Sequence, residues 1–268
     1  MIKQFKKAYA ITYAGFKIAI AYRFHFFVSL ITSPLSLLIY YFLWKSIFEY
    51  SGQEVIQGFT FQTMIAYYAL NMIVGFFVWT NVDESLEDDV VYGHLSVTLL
   101  KPFNFIFFYF FQLLGISSLS IVLEMIPFFL IAIFFFNLSI APVFYFVMFF
   151  VSIVLALLIN FFISYLVGLL AFWFNRISGI RRVKRVLIIF LSGGMIPLAF
   201  FPDFLQKIFE YLPFQYIRSV SIGIYLGQYN YLRTLELLLI QVLWIFILYC
   251  FVVFMWNRAF KKYAGAGT

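Results

Sequence analysis

The fold is decided by the uncharged stretch MIPFFLIAIFFFNLSIAPVFYFVMFFVSIVLALLINFFISYLVGLLAFWFN, residues 125–175. A helix needs about 20 predominantly apolar residues to cross a hydrocarbon core of about 30 Å, so this stretch is too long for one crossing. Together with the end of the preceding apolar run, it divides at NLSIAP, residues 137–142, where a turn is chemically natural. The stretch therefore predicts two membrane-spanning helices joined by a turn.

The rest of the chain has the same character, since 65% of its 268 residues are hydrophobic and only 11% are charged. An average soluble protein has about a quarter of its residues charged. Further uncharged windows predict an all-α membrane protein, a single transmembrane domain over residues 1–268, with the first apolar run retained as a span. The six predicted helices are residues 24–46, 59–81, 104–135, 142–173, 186–202 and 234–257.

The basic residues predict the orientation, because Lys and Arg near span ends are retained on the cytoplasmic side. With both termini in the cytoplasm of a prokaryotic cell, the inner segments hold most of the basic residues and the outer segments hold few. This interpretation also accounts for the net charge of +7 better than nucleic-acid binding does. The inner residues are Lys3, Lys6, Lys7, Lys17, Arg23, Lys101, Arg176, Arg181, Arg182, Lys184, Arg185, Arg258, Lys261 and Lys262; the outer ones are Lys45, Lys207, Arg218 and Arg233.

Residues 1–22 have the pattern of an amphipathic helix that lies along the bilayer surface. Apolar and aromatic residues fall in one narrow stripe, and lysines gather on its flank. The alternative is a plain basic anchor that only sets the topology. The predicted lipid-contacting residues are Lys3, Phe5, Lys6, Lys7, Tyr9 and Phe16.

The cytoplasmic connection between the second and third spans predicts a short acidic helix over residues 82–92. Asn81 followed by Glu84 resembles a capping box, and Gly93 suits the position just past the helix end. Leu86 lies on an apolar side, whereas the rest of the helix carries five carboxylates. Such a helix is either a solvated loop or a peg that fits a partner's groove. The second cytoplasmic connection, residues 174–185, is basic, which favours a topological role and contact with anionic lipid over contact with an acidic partner surface.

The fifth apolar window is short, and its last turns contain residues that break helices: Gly193, Gly194, Pro197 and Pro202. Residues 202–227, with a second turn at Pro213, predict a pair of short helices that dip back into the outer leaflet. Irregular backbone at that depth is tolerated only where protein or a cavity covers it.

Glu124 interrupts the long third span just before a proline. Because a carboxylate in hydrocarbon costs about 2.5–3.5 kcal/mol on insertion scales, it should face the bundle interior or water. It either lines a path or pairs with a neighbour, or it marks the outer interface as a neutral or snorkelling carboxyl.

The sequence contains no constellation for catalysis or metal binding. LSGG at residues 191–194 has the letters of an ATPase signature loop, but G-x-x-x-x-G-K-[ST] is absent and the letters lie in an uncharged window. Cys250 is the single cysteine, and His25 and His94 are far apart in sequence. The chain is therefore expected to bind no cofactor and to hydrolyse no ATP.

The order of these features resembles the permease subunits of type-two ABC exporters, in particular a six-span group. The likeness rests on the basic N-terminal helix, on YGHLSVTLLKPFN at residues 92–104, and on GGMIPLAFFPDFLQKIFEYLPF at 193–214 followed by IYLGQ at 224–228. It implies a coupling helix near residues 83–92 that lodges in a separate ATPase subunit, which holds ATP and Mg, and re-entrant helices on the outer side. Relatives place a basic residue shortly before the glycine, where this chain has Val91 and Tyr92.

Carried over by position, and with Leu86 added from the apolar side of the helix, the ATPase contacts are expected at Glu84, Leu86, Glu87, Asp88, Val91, Gly93 and Leu95. Residues of the path or gate are expected to be Glu124, Gly193, Gly194, Pro197, Pro202 and Pro213. The complex would contain two ATPase subunits and a second permease chain, identical or homologous, and would move a small amphipathic or lipid-like substrate.

Two other classes of function stay open at this level. An ion-coupled secondary transporter would normally show several intramembrane ionisable groups or broken helices in repeated halves, whereas Glu124 is nearly alone. A non-catalytic scaffolding subunit would also have a partner-binding helix and no chemistry. A membrane enzyme would need a nucleophile with a base or a metal cluster, and neither is present in the sequence.

Overall fold

A computed structural model of the chain describes residues 2–21, 23–95, 104–174 and 176–265. Within these residues the regular secondary structure is helical apart from one small hairpin. The α-helices are α1 (Ile2–Ala21), α2 (Arg23–Ser51), α3 (Phe61–Val78), α4 (Val82–Val91), α5 (Phe105–Ser120), α6 (Ile126–Phe136), α7 (Val143–Leu169), α8 (Ser178–Leu191), α9 (Asp203–Glu210), α10 (Ser219–Tyr225) and α11 (Tyr231–Gly265). The hairpin strands are β1 (Val55–Ile56) and β2 (Phe59–Thr60).

Shorter helical turns join several of these elements. A π-helical turn, Ile121–Met125, connects α5 to α6, so that together they form the long third helix. Pro127 has no backbone N–H, which explains an irregular hydrogen-bond ladder in the turn before it. The remaining turns are 3₁₀-helical and cover Leu170–Phe172, Leu198–Phe200 and Pro213–Ile217.

Local sequence signals explain where several helices begin and end. Thr60 and Thr63 form a reciprocal capping box at the start of α3, and the Asn104 side chain accepts a hydrogen bond from the Ile106 N–H at 3.0 Å. Asn137 ends α6 in the left-handed conformation, inside the turn that the sequence predicts. The hairpin turns through Gln57 and Gly58, both with positive φ.

The core lies around α3 and α7. Helix α7 packs against α4, α10 and α11 and also contacts α3, and its inward face includes Phe149, Phe161 and Tyr165. Polar side chains tie the layers together: Asn160 of α7 donates to the Val78 carbonyl at the end of α3, at 2.6 Å. Buried Gln241 of α11 donates to the carbonyls of Ser152 and Tyr216.

Five helical segments are long and apolar enough to cross a membrane, counted over the described residues: Phe26–Ser51, Phe61–Val91, Phe105–Phe136, Val143–Phe172 and Tyr231–Lys262. They correspond to the first, second, third, fourth and sixth predicted spans. The chain is therefore an all-α, multi-pass membrane protein.

The fifth predicted span, residues 186–202, is not one continuous helix. Helix α8 begins earlier, at Ser178, and includes the basic run that the sequence assigned to a connection; it ends at Leu191. Gly193 adopts φ +79°, and the Gly194 N–H bonds to the Ile189 carbonyl at 2.8 Å, which closes a Schellman motif. The glycines therefore stop the helix halfway along the predicted span rather than in its last turns.

Candidate functional site

Helix α4 is held against α7 by a close backbone approach at Gly168. A Cβ atom at this glycine would lie 2.7 Å from Leu86 Cδ1 and 3.0 Å from Asp83 Cα. Leu86 is fully buried at this contact. The absence of a side chain at Gly168 thus lets the acidic helix sit directly on the end of α7.

The start of α4 differs from the predicted capping box. Asn81 makes no side-chain cap bond; instead, the Thr80 hydroxyl accepts from the Val82 N–H at 3.3 Å. Gly93 follows the helix end with φ +75°, as expected for a residue just past a C-cap. The acidic residues of the first turn, Asp83 and Glu84, lie at the positive end of the helix dipole.

The acidic side of α4 pairs with the basic residues of α8. Arg181 contacts Glu84 at 3.2 Å and Glu87 at 2.9 Å, and Lys184 contacts Asp83 at 2.7 Å. Burial lowers the pKa of Lys184, whereas the Asp83 carboxylate opposes this shift. The basic residues that the sequence assigned to a connection therefore do contact an acidic surface, and that surface is α4 of the same chain.

Further hydrogen bonds complete this contact, which we call the α4–α8 clamp: Asp83, Glu84 and Glu87 with Arg181 and Lys184. Lys184 also donates to the Ser164 hydroxyl of α7 at 2.9 Å, and Glu87 accepts from the Ile177 N–H at 3.1 Å. Glu87 has only 1% of its side chain exposed and Asp83 6%. The clamp thus joins α4, α7 and α8 through buried charges, and breaking such a pair is costly.

The broken end of α8 is fixed by polar groups of α3. The Tyr67 hydroxyl donates to the Gly193 carbonyl at 2.7 Å, and Asn71 donates to the Gly194 carbonyl at 2.6 Å. Pro197 precedes the 3₁₀ turn Leu198–Phe200, and Pro202 precedes α9. Pro213 is buried at the start of the next 3₁₀ turn. Sequence reasoning missed Tyr67 and Asn71, although Asn71 is a polar residue inside an uncharged span.

Glu124 lies in the π-helical turn and is buried inside the chain. Its carboxyl group accepts hydrogen bonds from the hydroxyls of Ser29 and Ser120, which belong to α2 and α5. The expectation that it faces the interior and pairs with neighbours agrees with this geometry. Whether it lines a path stays a prediction.

Helix α1 packs extensively against α5 through two glycines. A Cβ atom at Gly115 would lie 2.0 Å from the Thr12 carbonyl oxygen, and one at Gly15 would lie 2.3 Å from that of Gln112. Tyr9 of the aromatic stripe lies outside this contact and is 68% exposed. Sequence analysis emphasised the aromatic stripe and missed the buried stripe beside it, which contains Ala8, Ile11, Gly15 and Ala19.

The predicted lipid-contacting residues divide accordingly. Lys6 and Tyr9 are exposed and Lys7 is half-buried, while Phe16 packs on the cluster of Ala19, Phe26 and Leu119. The side chains of Lys3 and Phe5 lie outside the described residues.

Replacing Gly115 by alanine is expected to displace α1, because the new methyl group would overlap a backbone carbonyl that cannot rotate away. Overpacking of this kind costs about 1–3 kcal/mol. Thermal unfolding in detergent and proteolysis at the lysines of α1 would measure the loss. Gly179→Ala is the matched control, since nothing lies within 4 Å of its Cβ position; equal stability of the two variants would contradict the packing described.

A comparison with known protein families identifies the family to which this chain belongs. Residues 35–267 match the model of the family described as ABC-2 family transporter protein. The chain belongs to the ABC-2 transporter family. The resemblance to type-two ABC permeases is thereby confirmed. A search of curated proteins gave no match.

An ABC-2 permease is the membrane-spanning subunit of an ABC transporter; it is not itself catalytic, and the family implies a separate ATPase partner. Helix α1 precedes the matched residues, whereas the clamp and the broken helix lie within them.

The structure places the predicted ATPase-contacting residues of this permease in two groups. Leu86, Glu87 and Leu95 are buried within the chain, so their side chains are not on a surface that a partner could contact. Asp88 and Gly93 are exposed, and Glu84 and Val91 are partly exposed. The remainder of the motif at residues 92–104, positions 96–103, lies outside the described residues.

Proposed function

We propose that this ABC-2 permease is half of an ATP-driven exporter and that α4 is its coupling helix. The observation that carries the proposal is the α4–α8 clamp, which fastens a short helix with an exposed tip to α8, the helix that ends at Leu191 before the break at Gly193. The exposed tip, with Asp88, Tyr92 and Gly93, is the surface offered to the ATPase. Two permease chains, identical or homologous, enclose the path, and two ATPase subunits hold ATP and Mg.

In this proposal, closure of the ATPase subunits on ATP pushes α4, and the clamp passes the movement to α8. A ligand can shift a conformational equilibrium only through its different affinity for the two states. Nucleotide supplies that difference at the ATPase, and α4 with α8 carries it to the helix break at Gly193. Asn71 and Tyr67 fix the position of the helix break at Gly193. In this proposal, access to the path changes between the inner and outer sides of the membrane at that break.

The segment from Pro202 to Gly227 forms the outer re-entrant part of the proposal. Its backbone is supported by protein, as irregular backbone in a membrane requires: Ser219 N–H bonds to the Ser192 carbonyl at 3.1 Å, and α10 is buried against α7. Both termini lie in the cytoplasm, and the protein resides in the inner membrane of a prokaryote. Helix α2 exposes Ile31, Ile39 and Phe42, and this face borders lipid or the second permease chain.

Binding of the ATPase provides the test. The permease is co-purified in mild detergent with a co-expressed candidate ABC ATPase subunit, as wild type and as Asp88→Arg. Because Asp88 is exposed at the tip of α4, the reversal leaves the core intact and places a cation at the interface, which is expected to reduce the recovered ATPase at least about ten-fold.

Glu49→Arg is the matched control, since Glu49 is an exposed carboxylate in the last turn of α2, far in sequence from α4. This variant is expected to recover as much ATPase as wild type. If the Asp88 variant is well folded and binds the ATPase normally, α4 is not the docking helix. If wild type recovers no ATPase, the exporter proposal itself fails.

A further inference from the structure

Arg218 lies between the 3₁₀ turn Pro213–Ile217 and α10, and its side chain packs against α3. Its Nη1 donates to the Asn71 backbone carbonyl at 3.0 Å and to the Asn71 side-chain oxygen. Asn71 is about 15 Å from one end of α3 and about 10 Å from the other, at 1.5 Å per residue. The guanidinium therefore sits near the middle of a membrane-spanning helix.

This cation has no anionic partner among the described residues. None of the ion pairs of that part of the chain includes Arg218, and its buried Nε has no hydrogen-bond partner. A guanidinium carries five N–H donors, and the two bonds to Asn71 leave several of them available. Cations inside a membrane are costly and normally pair with an anion or with backbone carbonyls. The Asn71 carbonyl is a partner of this kind, but it does not neutralise the charge, so an anion from outside the chain could still bind there.

Two glycines allow the Arg218 side chain to pack closely against α3 and the end of α8. A Cβ atom at Gly75 would lie 3.2 Å from Arg218 Nη1, and one at Gly194 would lie 3.3 Å from Arg218 Cδ. Arg218 is partly exposed, and the neighbouring Met195 and Ile196 expose apolar surface, 56% and 37% respectively. A cation with free donors thus borders an open apolar face.

We propose that Arg218 binds the anionic headgroup of an amphipathic substrate, a carboxylate or a phosphate ester, while the apolar tail lies on the adjacent face. The Nη2 group of Arg218 makes no bond to Asn71 and can donate to the oxygens of either group, and low polarity strengthens such a charge-assisted bond. The proposal rests on the exporter function, because it names the class of substrate for the same path. It also explains why an arginine occupies a site where a neutral hydrogen-bond donor would suffice to hold Asn71.

Direct binding to the purified permease in an uncharged detergent tests this proposal. Calorimetry compares lauroyl lysophosphatidic acid, laurate and lauroyl lysophosphatidylcholine, which share one tail and differ in headgroup charge. Wild type is expected to prefer the two anionic probes by at least about ten-fold, the scale of a charge-assisted bond. Inorganic phosphate is expected not to compete, which distinguishes a headgroup from a free anion.

Three variants separate charge from packing. Arg218→Gln is expected to lose the preference for anions and to keep the affinity for the phosphatidylcholine probe; Arg218→Lys keeps most of the preference. Asn71→Asp is expected to abolish the preference with Arg218 still present, because it supplies an internal counter-ion. Arg233→Gln, at an exposed arginine paired with Glu236, is the matched control and behaves as wild type.

Equal binding of anionic and zwitterionic probes by wild type would overturn the proposal, as would an anion preference that survives both Arg218→Gln and Asn71→Asp. A different result would reject the exporter proposal: the purified permease would still prefer anions, but no ATPase would bind to it. If the ATPase binds and the anion preference is absent, only the inference about Arg218 fails.

Discussion

Replacing Lys184 by methionine is expected to destabilise the permease by about 3 kcal/mol, because it leaves the Asp83 carboxylate buried without its partner. The same change is expected to reduce stimulation of ATP hydrolysis by the permease, since the movement of α4 no longer reaches α8 through the clamp. Denaturant titration in detergent gives the first quantity, and the activity of the reconstituted complex gives the second.

The matched control is Lys45→Met on α2. Lys45 also pairs with a carboxylate, Glu49, but both side chains are largely exposed, so the change is expected to cost less than about 1 kcal/mol. The double variant Asp83→Leu with Lys184→Met removes both buried charges and is expected to recover most of the stability. Equal stability of Lys184→Met and Lys45→Met would show that the clamp is not a buried ion pair.

Replacing Gly168 by leucine is expected to separate α4 from α7. Even a Cβ atom there would lie 2.9 Å from Leu86 Cβ and 3.0 Å from Asp83 Cα, so the larger side chain forces α4 away. We expect a destabilisation of about 1–3 kcal/mol. We also expect an approximately ten-fold loss of ATPase stimulation, equivalent to 1.4 kcal/mol of coupling.

Leu86→Ala added to Gly168→Leu is expected to restore part of the stability and part of the ATPase stimulation, because it vacates the volume that the new side chain needs. Gly179→Leu, at an open position on α8, is the control; it should change the free energy of unfolding and the coupling free energy by no more than about 0.5 kcal/mol each. Normal ATPase stimulation in Gly168→Leu would mean that the packing of α4 on α7 is irrelevant to the transporter.

Most of the helical fold is predictable from the sequence because apolar length alone identifies a membrane span. Long apolar helices lie at the positions of five of the six predicted helices, and α4 begins and ends within one residue of the predicted helix. The fifth differs, because window length cannot show that Gly193 takes positive φ and ends α8 in mid-span. The start of α8 was missed because a basic run was interpreted as a loop, whereas two of its residues, Arg181 and Lys184, are paired with carboxylates of α4 on a helix.

The candidate site was only partly predictable. The acidic helix was recognised, but its carboxylates were assigned to a partner, although Glu84 and Glu87 contact Arg181 in the same chain. Acidic residues at helical spacing on one cytoplasmic segment and basic ones on the other are a signal that could have indicated this pairing. Arg218 was counted as an outer loop cation, because hydropathy does not show that its segment packs beside Asn71 in the bundle.

The central claim is that α4 and α8 move as one unit when the ATPase binds nucleotide. Spin labels at Asn81→Cys, directly before α4 and away from its proposed docking tip, and at Val183→Cys, both exposed, report the distance between the two helices in a Cys250→Ser background that contains no other cysteine. A second pair, Val183→Cys with Phe42→Cys, reports movement of α8 relative to α2. The complex is measured without nucleotide and with ATP and vanadate.

The account predicts that nucleotide leaves the α4–α8 distance unchanged and alters the α8–α2 distance. A change between α4 and α8 while α8 stays fixed relative to α2 would contradict it, because the coupling helix would then move without carrying the broken helix along.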